Sequence, residues 1–391
     1  MISFFALDMV DSETNRFFYL CRPQKGQREH RHMPIRDLAA AWDATKVLLF
    51  LETTFGKQHD GHSDCNASIR QRLRAAICST LEAYQPLTPM AEIAREIEQA
   101  PSGFADQHRS ALRLDASMLR ETANIAHSAL LMMASANAYR LSICSDSDTK
   151  GVIGGLLQGI LSRQRPDGAF RVEFTSNGQK DCDDIYKGID FYPGEAMLAM
   201  MDVYDLSEEY GDLVDEAVRE SIVSSMERAY MFYCDYYQKE SPYVNFNIWQ
   251  IISLSRFYGV LGRRRRSDQA ICVAQHVLHM CRGIVHSRAW KELKQGQRFY
   301  ANLNTVEIVC GLDAIAEGIR LADAIGDDDT SALLKRNAMN AVYFVEWSQS
   351  QVSQDSPGFG GLGLGGAQVL EQRLDVSGHA LSALVKLCIV L

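Results

Sequence analysis

Residues 181–201 read DCDDIYKGIDFYPGEAMLAMM, and the second half of that stretch decides the fold. Pro193 suits a first helical position, because its fixed φ fits there and its missing N–H would have had no intrahelical partner anyway. From Ala196 to Val203 the chain is apolar nearly all round, so this helix is expected to be buried on every side. Asp190 and Glu195 then stand at the N-terminal mouth of an interior helix, where acids are otherwise scarce. Upstream, QRPDGAF (Gln164–Phe170) places an Asp-Gly tight turn before a returning aromatic residue. Together these pieces read as a hairpin whose helix start forms the floor of a pocket.

The same wholly apolar, small-residue character recurs along the chain. It is found in Ile35–Glu52, Asn124–Tyr139, Pro193–Tyr204, Ile248–Tyr258, Thr305–Ala322 and Ser377–Leu391. Between these lie amphipathic helices with an apolar stripe at helical spacing: Ala67–Tyr84, Gly151–Arg163, Leu213–Tyr233, Asp268–His286 and Ser331–Val352. Alternating buried and half-buried helices have a simple packing solution, an inner ring wrapped by an outer one. The expectation is an all-α (α/α)6-type toroid of six inner and about five outer helices, its last hairpin incomplete or closed by the N-terminus. A solenoid would need a fixed sequence period, which is not visible. Residues 1–33, with FFALDM and NRFFYL, read as a small hairpin extension packed on the toroid domain, residues 34–391.

The 391 residues are 47% hydrophobic, with 49 acidic and 40 basic side chains, an ordinary globular composition. A net charge of −9 argues against nucleic acid, which requires a basic face. The start lacks the basic n-region of a signal peptide, and no apolar run approaches the roughly 20 residues of a membrane span. Ten scattered cysteines without a CxxC pair read as thiols of a cytoplasmic protein. His276, His279, Cys281 and His286 lie on an outer helix without converging, so no metal is expected, nor any other cofactor. Arg263–Arg266 reads as a solvated loop. The glycine-rich Ser356–Gly366 contains GxGxxG but neither follows a strand nor opens a helix, so it reads as a flap rather than a nucleotide site.

Inner helices of a toroid start at one common end, and polar residues recur there. They are Asn124 and His127; Asp190, Tyr192 and Glu195; Asn245, Asn247 and Trp249; Asn302, Asn304 and Glu307; and Asp375 with His379. Each has a bland alternative. Glu195 and Asp190 can serve the helix dipole and the preceding turn. Asp375 and His379, four residues apart, share one face if the helix includes Asp375, where a carboxylate would orient the imidazole.

QRPDGAF, DFYPGEAMLAM and RLDVSGHALSAL together resemble the α/α-toroid enzymes: six-hairpin glycosidases and sugar epimerases, terpene cyclases and prenyltransferase β-subunits. Two sub-resemblances diverge. Asp181–Asp184 matches the DxDD of class II terpene cyclases, which implies Asp183 as the proton donor, and Gln164–Phe170 resembles their QW repeat with Phe in place of Trp. The carbohydrate-type toroids instead imply acid/base work by Asp190, Glu195, Glu307, Asp375 and His379. The leading expectation is an enzyme acting on a sugar-like or glycosidic small molecule, with Tyr192, Trp249, Asn124, His127 and Asn247 binding substrate. An isoprenoid cyclase and a non-catalytic toroid that binds a peptide or protein are the alternatives. The oligomeric state is left open.

Overall fold

A computed structural model describes residues 1–30, 33–55, 64–84, 124–144, 146–172, 188–211, 213–240, 244–352, 359–363 and 371–391. The architecture is all-α, with the buried and half-buried helices in the expected order. The long helices are α1 (Pro34–Phe55), α2 (Asp64–Ala83), α3 (Ile125–Arg140), α4 (Asp146–Ser162), α5 (Tyr192–Tyr210), α6 (Glu216–Glu240), α7 (Val244–Arg263) and α8 (Ser267–Val285). After two short helices, α9 (Arg288–Leu293) and α10 (Gln297–Tyr300), come α11 (Thr305–Ile325), α12 (Asp328–Ser350) and α13 (Leu374–Val390). The chain divides into two compact units: Met1–Ser79 with Asn247–Leu391, and Thr80–Phe246.

In the first unit, α1, α11 and α13 are buried on nearly all faces, and α13 packs against both of the others. The last and first of the expected inner helices are therefore neighbours. Small residues permit this approach. A side chain at Gly378 would overlap the Asp43 carboxylate, and one at Gly318 would lie 2.5 Å from Cys281 Sγ on α8. The α11–α12 turn is written in IGDDDT. Gly326 takes a left-handed conformation (φ 74°) that ends α11, and the Asp327 side chain accepts the Thr330 N–H to start α12.

The N-terminal segment differs in detail from its sequence reading. FFALD forms a short helical turn, a tight antiparallel reversal then joins Met9–Asp11 to Arg16–Phe18, and a second hairpin follows between β1 (Leu20–Arg22) and β2 (Gln27–Glu29). β1 also pairs antiparallel with β3 (Gln372–Arg373), directly ahead of α13. The Leu374 N–H donates to the Tyr19 carbonyl at 3.1 Å, so the first residues of α13 are held by the N-terminal strand. The described part of the glycine-rich segment is docked rather than free. Leu362 is buried with its N–H on Ser377 Oγ (3.3 Å), and the Gly360 carbonyl accepts from Gln349.

In the second unit, α3 and α5 are the buried pair, and α4 and α6 are half-buried. QRPDGAF makes the expected tight turn. Asp167 Oδ1 accepts the Ala169 N–H at 3.1 Å, Gly168 sits at φ 99°, and Phe170 is fully buried. Gln164 Nε2 donates to the Gly168 carbonyl and to the Ser225 carbonyl of α6 (3.1 and 2.8 Å). The Phe170 N–H donates to Tyr233 Oη at 3.0 Å. Beyond the turn, the Val172 carbonyl receives the Ile125 N–H (2.8 Å), fixing the start of α3.

Candidate active site

In the second unit, two helix starts carry the residues singled out from sequence. At α3, Asn124 Oδ1 accepts the Ala126 N–H at 3.0 Å, and the Asn124 N–H donates to His127 Nδ1 at 3.3 Å. Asn124 and His127 thus form a reciprocal cap, a structural role not assigned to them from the sequence. At α5, Pro193 occupies the first turn and Glu195 is buried with it, 7% exposed. Ahead of them lies a tight turn. Gly188, at φ 75°, offers its carbonyl to the N–H groups of Phe191 and Tyr192 (3.0 and 3.1 Å), and the Tyr192 ring covers its Cα. Asp190 in this turn is half-buried, with no hydrogen bond or ion pair among the described residues, and burial pushes its carboxyl above the ordinary value.

In the first unit, Trp249 of α7 lies 6.0 Å from Trp42 of α1 and edge-on to His379 of α13 at 5.9 Å, centroid to centroid. All three are buried, and Lys46 Nζ sits 3.5 Å from the centre of the Trp42 ring. Asp375, one turn before His379, falls inside the helix, as required for a shared face. Its oxygens, however, are occupied by other partners. Arg36 Nη1 lies 2.7 Å from Oδ2, Arg373 Nε lies 2.9 Å from Oδ1, and Arg373 Nη2 also reaches Oδ2. Burial alone would raise the Asp375 carboxyl, but the Arg36 and Arg373 guanidiniums reverse this and hold it below its ordinary value. The expectation that Asp375 orients the imidazole is corrected: it is the counter-ion of two arginines. Glu307, in the first turn of α11, is half-buried and its carboxyl is raised by burial. Asn247 is buried, with no hydrogen bond to Oδ1 among the described residues.

Below this layer runs a charged ladder that the sequence reading missed. Asp43 is 2.6 Å from Lys46, and Lys46 donates to Ser382 Oγ at 2.8 Å. Ser382 donates in turn to Asp313 (3.2 Å), and Lys386 joins Asp313 (2.8 Å) to Glu317 (3.0 Å). Arg320 closes the far end on Glu317 at 3.0 Å. Burial would raise Glu317, yet Lys386, Arg320 and Arg256 bring it down to about 2. Trp249 and Arg256 are seven residues apart on one face of α7, and they meet the beginning and the middle of α13 respectively. Arg36 with Asp375 and Lys46 with Ser382 give α1 the same direction as α13. The buried helices of this unit therefore start at a common end. Asp43, Asp313 and Lys386 were legible as lone charges inside apolar runs, at i, i+3, i+4 spacing along faces that meet.

Asp181–Asp184, including Asp183, lies outside the described residues. Asn304 caps α11 by accepting the Val306 N–H, while the Asn245 side chain lies outside the described residues. No described helix is long and apolar enough to cross a membrane.

The helix order and burial define a protein of the α/α-toroid class. No protein-family model matches the chain, and no curated protein sequence does. Among solved structures, the chain is similar to an unsaturated glucuronyl hydrolase specific for heparin, with a TM-score of 0.54 and 10% identity, over 100% of this chain and 95% of that one. At that identity the likeness carries the toroid fold and no specific family.

Proposed function

We propose that this chain is an enzyme acting on a sugar-like small molecule by acid/base chemistry at the starts of its inner helices. The observation that carries the reading is the contrast among carboxyls at equivalent helix starts. Asp190 and Glu307 are raised by burial, while Asp375 is held down between two guanidiniums. Environments that push carboxyl pKa values apart are what separate an acid from a base at one pH. Asp190 keeps its proton to higher pH and is the proton donor to a leaving oxygen. Glu195, one turn on, is the second carboxylate of that helix start, to activate water or steady a developing positive charge. Asp375, fixed as an ion, anchors Arg36 and Arg373, and the His379 imidazole stands beside Trp249 as the second polar group of that helix start. Glu307 is the second proton donor in the first unit.

In the second unit Tyr192 supplies a stacking surface and Asn124 and His127 supply hydrogen bonds to hydroxyl groups; in the first unit Trp249 and Asn247 fill the same two roles. The fold shared with a glucuronyl hydrolase supports a saccharide substrate. Cys21, Cys78, Cys144, Cys234, Cys272, Cys281, Cys310 and Cys388 are free thiols, which fits a cytoplasmic setting.

The test is a panel of unsaturated glucuronyl disaccharides and aryl glycosides, assayed with wild type, Asp190→Asn and Glu195→Gln. Turnover of at least one panel member by wild type, lost in either variant, supports the reading. A wild-type protein that neither converts nor binds any member sinks it, and so does unchanged turnover in both well-folded variants.

A further inference from the structure

Phe191 is 40% exposed, although it stands between half-buried residues at the start of a wholly buried helix. Its position is not the looseness of a surface loop. Its N–H is bonded to the Gly188 carbonyl at 3.0 Å, its carbonyl receives the Glu195 N–H, and its ring lies 6.2 Å from that of Tyr192. Gly188 makes this possible, because a Cβ there would lie 2.5 Å from the Tyr192 ring. The turn therefore buries Tyr192 against its own backbone and turns Phe191 outward. The preceding residue, Asp190, is the carboxyl without a partner among the described residues. A lone exposed aromatic is ordinary on a protein surface. An aromatic ring held rigidly outward next to a partnerless carboxyl is a different arrangement, with an apolar face and a proton-transfer group on consecutive residues.

We infer that Phe191 is a substrate-positioning residue, whose ring stacks on the apolar C–H face of a pyranose while Asp190 meets that sugar's oxygens. The inference rests on the proposed sugar-acting function and names the contact that selects a ring-shaped over a linear polyol substrate. An aromatic face offers the axial hydrogens of a pyranose a flat, weakly negative partner, and it loses little conformational entropy because the turn already fixes it.

The experiment compares wild type, Phe191→Ala, Phe191→Trp and Asp190→Asn on the panel member that wild type converts. For Phe191→Ala, KM is expected to rise about three- to tenfold, the scale of an aromatic contact. The kcat and its pH profile should stay within about twofold, because no proton-transfer group is removed. Phe191→Trp should restore KM, which a purely structural role would not predict, and melting should be unaffected. Unchanged KM in Phe191→Ala, alongside lost turnover in Asp190→Asn, overturns the inference and leaves the function standing. So does a fall in melting temperature that Phe191→Trp does not reverse. Failure of the function itself looks different: wild type neither converts nor binds any saccharide, and the role of Phe191 falls with it.

Discussion

Two helix starts in this molecule carry an acid in a buried setting, and their chemistry is opposite. At α13, Asp375 is almost fully buried and answered by Arg36 and Arg373, with the Tyr19 carbonyl bonded to the N–H of the preceding residue, Leu374. At α5, Asp190 is half-buried and partnerless among the described residues, and the aromatic next to it faces solvent. Burial raises both carboxyls; only the presence of cations at α13 reverses the sign. A carboxylate fixed by ion pairs stabilises the fold and is a poor proton donor. One that is desolvated and unpaired does little for the fold and is suited to transfer a proton. Sequence alone made the two look alike, because both are acids at the entry to an apolar helix, Asp375 in its first turn and Asp190 just ahead of it.

The comparison is broken most directly by removing each acid's chemistry. Asp190→Asn and Glu195→Gln should each lower turnover by roughly 10²–10⁴. Stability should change by no more than about 0.3–1 kcal/mol in Glu195→Gln, the size of a dipole interaction. Urea unfolding beside steady-state kinetics separates the two effects. Unchanged turnover would return DFYPGEA to being a helix start.

The opposite pattern is expected in the first unit. Lys386→Met leaves Asp313 and Glu317 without their shared ammonium, and stability should fall by about 3–5 kcal/mol, as for other broken buried pairs. A loss below about 1 kcal/mol in chemical denaturation would mean that the ladder is screened like a surface ion pair.

Acid sharpens the same contrast. Glu317 is lowered from 4.5 to about 2, so its contribution is fully present above pH 4.5 and lost as pH falls through about 2. That contribution is roughly 3 kcal/mol at most. Asp375 is shifted in the same direction. His276 on α8 is lowered by burial, and by His279, from 6.5 to about 4, so the fold begins to lose stability on acidification already below pH 6.5. Urea midpoints should therefore fall steadily from pH 6.5 to pH 2. A flat profile in that range would contradict the ladder. Gly378→Ala should cost about 1–3 kcal/mol by forcing Asp43 off α13. If it melts like wild type, α1 and α13 have room to spare.

Much of the architecture was legible because burial leaves a periodic trace. The all-round apolar runs starting near Ile35, Asn124, Pro193, Ile248, Thr305 and Ser377 all became buried helices, and the five striped segments between them became half-buried ones. The Asp-Gly turn at Gln164–Phe170 was also readable, since Gly168 needs a positive φ that other residues resist. The ladder was harder to see. Asp43, Asp313 and Lys386 are single charges on three helices far apart in sequence, and nothing local says that they meet. The cap formed by Asn124 and His127 went unread, although an Asn ahead of an apolar helical run carries that signal.

The sequence by itself determined helix order, which helices are buried, and where polar residues interrupt them, because these depend on local spacing and composition. Tertiary structure alone decided the partners. Asp375 met Arg36 across 339 residues, Ser382 met Lys46 across 336, and Asp190 met no cation among the described residues. The charge state of a carboxyl depends on which ions and how much water surround it, and chain packing sets both. The same residue type at the entry to a buried helix can therefore be a strut in one unit and a candidate acid in the other.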